Sequence, residues 1–267
     1  MHTLDNRPSR PLYETEPVYC VTTDIDWASE DAIEHQQEIF DAFDVEATYF
    51  VTHDSALAAG LHEAGRVQLG VHPNFLPGSS HGDSVEEIVR TVMSFAPDAR
   101  CFRSHRYYDA SPATEALVEA GIVYDSNLMT NLQPNIHPIT HESGLLRFPC
   151  FYEDGTHNKW QRPWEYQLFA EVFRQPGIKI LSVHPLVTAF NCTSSANWAE
   201  LKTRFPPDEW RILSLDTIRE YADESPGPER FLQDLLTDIR ERDAVVMTMD
   251  ELYTNFAPAA LASPNAR

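Results

Sequence analysis

The run Val18-Tyr19-Cys20-Val21-Thr22-Thr23-Asp24-Ile25-Asp26-Trp27 ends an apolar, β-branched stretch on two carboxylates two residues apart. The apolar part predicts a buried strand. Two acids this close repel each other unless a cation relieves them or one holds a proton. Such a pair can hold a divalent ion or act as a base; its purely structural use would be to supply N-terminal charge to the following helix. Other strand-like runs also end in ionisable groups. His72-Pro73 follows 67–71, Arg103 follows 99–102, Asp125 follows 122–124, and His184-Pro185 follows 178–183. Imidazole and carboxylate ligands with open positions suit catalytic Zn²⁺ or a similar divalent ion. The metal would polarise a carbonyl and acidify a bound water. A second carboxylate could take the water's proton, and a histidine could protonate a leaving group. That set describes hydrolysis of an amide or ester. The sequence holds no G-x-S-x-G, Walker A or G-x-G-x-x-G pattern.

These residues must be positioned by repeating units. Strand-like runs at 18–23, 45–51, 67–71, 99–102, 122–124, 145–149, 178–183 and 244–249 alternate with helical patterns at 29–43, 55–64, 84–95, 111–120, 164–174 and 229–242. Such alternation predicts parallel strands joined by right-handed crossovers. The expected fold class is α/β, a distorted (β/α) barrel of seven or eight units. The C-terminal strand ends of a parallel barrel share one face, and chemistry gathers there. Residues 188–228 give few firm signals and form a mixed insertion. The expected organisation is an N-terminal arm at 1–16, a single barrel domain at 17–256, and a loose C-terminal tail at 257–267.

Composition narrows the function classes. The chain has 267 residues, 42% of them hydrophobic, and a net charge of −21 with histidine neutral. That charge argues against broad nucleic-acid or anionic-lipid binding. Cys20, Cys101, Cys150 and Cys192 show no C-x-x-C spacing, so neither a disulfide framework nor a structural zinc site is expected. No signal-like apolar region opens the chain, and no run reaches the ~20 apolar residues of a transmembrane helix. The expectation is a cytoplasmic enzyme with no transmembrane segment and no nucleic-acid partner. His53, His137, His141 and His157 read as structural, and Trp160 and Trp164 as packing residues that could also stack on a sugar.

At these residues the chain resembles the NodB-type polysaccharide deacetylases, carbohydrate esterase family 4, and within them the branch tied to O-antigen and other surface-polysaccharide biosynthesis. The resemblance covers roughly 17–250. Thr23-Asp24-Ile25-Asp26 stands in place of the family's Thr-Phe-Asp-Asp-Gly, which implies Asp24 as general base and Asp26 as metal ligand. Leu69-Gly70-Val71-His72-Pro73 supplies the first of two metal histidines. Leu76 occupies the position of the second, and His81 is the candidate replacement. Arg103-Ser104-His105-Arg106-Tyr107 echoes an Arg-x-Pro-Tyr motif, with Arg103 orienting the base and His105 and Tyr107 near the substrate. Tyr124-Asp125-Ser126 resembles a segment lining the substrate site, which makes Asp125 a substrate contact. Leu181-Ser182-Val183-His184 matches a Leu-x-Ile-His motif, with His184 as general acid. The resemblance implies a NodB-homology barrel and a Zn²⁺ cofactor, with Co²⁺ or Ni²⁺ able to take its place. The implied substrate is an acylated carbohydrate or small molecule, most simply an N-acetyl amino sugar of a surface-polysaccharide precursor.

Rival readings stay open at this level. An apolar strand ending in Asp-x-Asp also opens haloacid-dehalogenase-type phosphatases and occurs in Mn²⁺-dependent glycosyltransferases. Neither explains two strand-ending His-Pro pairs. The same barrel could also hydrolyse a different non-peptide C–N bond, or could bind a glycan or act as a scaffold without catalysing anything.

Overall fold

The computed structural model describes residues 10–257. The expected arm before residue 10 and the tail from 258 onward lie outside the described residues. Leu12–Glu14 forms a single 3-10 turn. The elements that follow are β1 (Pro17–Asp24), α1 (Glu30–Ala42), β2 (Thr48–Val51), α2 (Ala56–Glu63), β3 (Gln68–Val71), α3 (Val85–Phe95), β4 (Cys101–Phe102), α4 (Ser111–Glu119), β5 (Tyr124–Asp125), β6 (Ile139–Thr140), β7 (Leu146–Arg147) and β8 (Cys150–Glu153). After these come α5 (Asp154–Lys159), α6 (Ala170–Arg174), β9 (Gly177–Val183), α7 (Pro185–Ala189), α8 (Ser195–Arg204), α9 (Leu215–Glu220), α10 (Pro228–Glu241), β10 (Val245–Val246) and α11 (Met249–Phe256).

The strands form one curled half-barrel in the order β6-β7-β5-β4-β3-β2-β1-β9-β8, with β10 on β1. Every pairing is parallel except β6 with β7. One edge of β1 is shared: its start pairs with β10 at Val18↔Val245, and its end pairs with β2 at Asp24↔Phe50. β1 is buried on both faces, and its period of two sorts its side chains into two cores. Tyr19 and Val21 join the layer with the α1, α7 and α10 residues Ile33, Leu186 and Phe231. Val18 and Cys20 point inward, into a cluster with Phe50, Cys101, Tyr124, Cys150, Ile178 and Ile180. The base of that interior is closed by α11, whose Met249 and Leu252 belong to the same cluster and whose Tyr253 stacks on Tyr124 at 4.8 Å.

The inward column of each strand changes character as it rises. On β1 it runs Val18, Cys20, Thr22, Asp24, and on β9 Ile178, Ile180, Ser182 and then His184 just past the strand. Apolar residues fill the bottom and polar ones line the top, so the chemistry stands at the open end. The sixth expected strand, 145–149, is instead two strands: β7 pairs with β5, and β8 pairs with β9. Pro149 interrupts the ladder between them. The loosely read stretch at 188–228 folds as α8 and α9 with a 3-10 turn at Trp210–Ile212. All four cysteines are buried and unpaired. Among the described residues, no helix is long and apolar enough to cross a membrane.

Candidate active site

Asp24 is buried at the top of β1 and meets Arg103, which is 0% exposed. Arg103 Nη1 donates to Asp24 Oδ1 at 2.7 Å, to Thr22 Oγ1 at 2.8 Å and to Ser182 Oγ at 3.1 Å. Its Nε donates to the Ser126 carbonyl at 3.1 Å and its Nη2 to Ser126 Oγ at 2.9 Å. The guanidinium lies over the Phe50 ring, 4.5 Å from the centroid. Gly70 makes room for that ring, since a Cβ there would sit 2.7 Å from both Phe50 and the Cys101 sulfur. Ser182 Oγ donates to the other Asp24 oxygen at 3.2 Å. Burial raises the Asp24 pKa, but Arg103, His72 and His184 outweigh it and hold the carboxyl below its usual range.

Asp26 lies on a sharp turn after β1. Asp26 and Trp27 both have left-handed backbone, at φ 39° and 58°, and so do Arg106 and Tyr107, at φ 57° and 55°. Each such residue costs on the order of 1 kcal/mol in an L-amino acid. The strained turns face each other at the site: Trp27 meets the His105 ring edge-on at 5.2 Å. Between them Asp26 Oδ1 stands 3.3 Å from His72 Nε2 and 3.1 Å from His105 Nδ1. Ligand atoms of Asp26, His72 and His105 all fall within 4.8 Å of one another. Donors about 2.0–2.1 Å from a tetrahedral Zn²⁺ lie about 3.3 Å apart, so the spacing fits. Two neutral nitrogens converging on one carboxylate oxygen is the donor set of an open metal site. His72 is 2% exposed and its Nδ1 has no hydrogen-bond partner among the described residues, so no second-sphere acceptor turns the ring away from Asp26.

His184 ends the β9 column. Its backbone N–H donates to Asp154 Oδ2 at 2.8 Å, and its Nδ1 lies 2.5 Å from Asp154 Oδ1. Nε2 is left facing Asp24 at 3.9 Å and Asp26 at 3.8 Å. Burial opposes a charge on this ring, yet Asp154, Asp26 and Asp24 outweigh it and hold its pKa well above the ordinary value. Sequence reasoning misses Asp154; its signal is its position just after β8, a strand hidden in the 145–154 run.

Three expectations need correction. His81 is not in the metal cluster: its Nδ1 accepts the Asn74 N–H at 3.1 Å and its Nε2 donates to the Thr52 carbonyl at 2.8 Å. Both ring nitrogens are spent on tying the loop after β3 to the end of β2, and His105 takes the third place. Asp125 does not face the cleft. Tyr124 and Ser126 point inward, so the period of two turns Asp125 outward, where Arg147 Nε holds both its oxygens at 3.0 Å. Tyr107 packs its ring against the inner cluster and does not line the cleft.

The cleft over these residues has a volume of about 540 Å³. Asp26, His105 and His184 line it from the strand ends, Arg106 and Glu153 from the rim, and Trp198, Lys202 and Trp210 from the 188–228 segment.

A family model described as WbmS-like polysaccharide deacetylase matches residues 21–202. Among solved structures, a Bordetella bronchiseptica protein assigned as a polysaccharide deacetylase involved in O-antigen biosynthesis is 27% identical, with a TM-score of 0.70 over 83% of this chain and 90% of that one. A 4-alpha-glucanotransferase from Thermococcus litoralis, 13% identical, shares the fold at a TM-score of 0.52 over 91% of this chain and 39% of its own. A family 4 carbohydrate esterase from Bacillus anthracis is 12% identical, with a TM-score of 0.46 over 92% of this chain and 86% of that one. Comparison with curated proteins gave no match. The chain belongs to the WbmS-like polysaccharide deacetylases.

Proposed function

We propose that this protein is a metal-dependent hydrolase that removes an acyl group, most simply N-acetyl, from an amino sugar of a surface-polysaccharide precursor in the cytoplasm. The observation that carries this reading is the convergence of Asp26, His72 and His105 beside a clamped carboxylate and a clamped imidazole. The relative from Bordetella, assigned to O-antigen biosynthesis, supports the choice of substrate class.

Asp26, His72 and His105 would hold the divalent ion, Zn²⁺ or in its place Co²⁺ or Ni²⁺. When bound, it supplies a Lewis acid for the acyl carbonyl and lowers the pKa of a water. Asp24 accepts the proton of the attacking water; Arg103 and Ser182 fix its two oxygens so that it does so without reorienting. The water oxygen bonds to the acyl carbon, and the C–N bond then breaks. His184 Nε2 gives its proton to the departing amine nitrogen. Asp154 on Nδ1 holds the tautomer and stabilises the charged ring before transfer. The products are a carboxylic acid and a free amino sugar.

The test is metal content with acetate release. Wild-type protein should carry about one divalent ion per chain and release acetate from N-acetylated amino sugars, and His72→Ala should lose both. A chain that takes up no metal after loading would overturn the hydrolase reading.

A further inference from the structure

The cleft wall opposite the strand chemistry comes from the 188–228 segment. Trp198 of α8 and Trp210 of the following turn face each other at 5.5 Å with 36° between their planes. Lys202 Nζ sits 4.9 Å from the first ring centroid and 5.8 Å from the second. The aromatic faces hold this ammonium in place without neutralising it. Arg106 lines the same cleft, on the left-handed turn beside His105. Among the described residues, neither Arg106 nor Lys202 has a carboxylate within ion-pair distance. Arg66, Arg100, Arg103, Arg147, Arg174 and Arg230 each have one.

The carboxylates of the cleft are otherwise engaged. Asp26 faces the two histidines, and Glu153 accepts the Thr156 hydroxyl. In a chain of net charge −21, two cations left without partners in the cleft that holds the catalytic groups mark a place for an incoming negative charge. The tryptophan pair beside them offers a flat apolar face of the kind that packs on a sugar ring.

We propose that Arg106 and Lys202 form an anion-recognising pair that selects an acylamino sugar bearing a negatively charged oxygen group near the acyl group removed. This rests on the hydrolase reading above and narrows its substrate class. The charge would be a ring carboxylate or a phosphate, and one experiment separates them.

Binding is measured by calorimetry for N-acetylglucosamine, its C6 carboxylate, the neutral methyl ester of that acid, and N-acetylglucosamine 1-phosphate. The proteins are wild type, Arg106→Asn/Lys202→Gln and Lys202→Arg. Asparagine is used at 106 because it tolerates left-handed backbone. At low salt one anionic probe should bind wild type at least about tenfold more tightly than its neutral counterpart. That advantage should shrink as salt rises. It should fall toward one in the double variant and persist in Lys202→Arg. Advantage for the acid points to a carboxylate, and advantage for the 1-phosphate to a phosphate. Equal affinities in wild type, an advantage that survives in the double variant, or no binding of any probe would each overturn the pair's role. Acetate release in the same samples keeps the two readings apart. Release from neutral sugar with no anionic advantage overturns this inference alone. An anionic advantage without release from any probe supports the pair and counts against the hydrolase.

Discussion

Replacing Arg103 by methionine keeps most of the side-chain volume and removes only the charge and its donors. The guanidinium makes five hydrogen bonds in a fully buried position, one of them to Asp24. Without it Asp24 keeps the Ser182 hydroxyl and two imidazoles 3.9 Å away. Breaking a buried ion pair from one side costs about 3–5 kcal/mol, because the remaining charge is stranded. Urea unfolding in a chelator at pH 7 reads this as a lower midpoint with an unchanged slope. Acid should reduce the deficit, and the sign follows from Asp24. In wild type its folded pKa is depressed, so its stabilisation is present above the unfolded value near ~3.9 and fades as pH falls through the folded one. In the variant burial dominates and raises that pKa, so Asp24 becomes a cost above ~3.9 that protonation relieves. Arg103→Met/Asp24→Leu should therefore recover at least half the loss, since apolar replacement of a whole buried pair is close to neutral. A single-variant cost below about 1 kcal/mol, or a double variant no better than the single, would refute the clamp.

Asp154→Asn keeps the size of the residue that His184 leans on but favours the wrong tautomer; kcat should fall by about 10²–10⁴ with KM nearly unchanged, read by acetate release. His157 lies fully buried against Trp164 at 4.0 Å, and burial lowers its pKa to about 4. Its folded value lies below the unfolded one near ~6.5, so the unfolded chain takes up the proton first. Stability should drop by about 3 kcal/mol as pH falls from about 6.5 to about 4, and His157→Phe should flatten that part of a urea-midpoint profile.

The strand ends were legible because each inward column moves from apolar to ionisable within a few residues. Asp24, Asp26, His72, Arg103 and His184 could be read from that change alone. Asp125 shows what strand ends omit: parity. With Tyr124 and Ser126 inward, its carboxylate must turn outward, and Arg147 meets it there. The exchange of His81 for His105 was hidden for another reason. It depends on left-handed backbone at Arg106 and Tyr107, and neither residue advertises positive φ as glycine or asparagine would. The tryptophan wall was illegible because short helices in a polar stretch carry weak periodicity. Strand β8 was hidden by a continuous apolar run in which only Pro149 marked the break.

The shared edge of β1 bears on how the molecule is made. This strand carries Asp24 at its tip, yet its partners are β2, β9 and β10, and Val18 pairs with Val245. Contacts so distant along the chain form late and slowly. While the polypeptide is still leaving the ribosome, the first strand has only β2 to lean on, and its inward cluster lacks the α11 floor. The acidic turn, the histidine from β9 and the base of the interior come together only once nearly the whole chain exists. A nascent or C-terminally shortened chain therefore presents the metal-binding side chains without the arrangement that joins them, which ties competence for the ion to completion of synthesis.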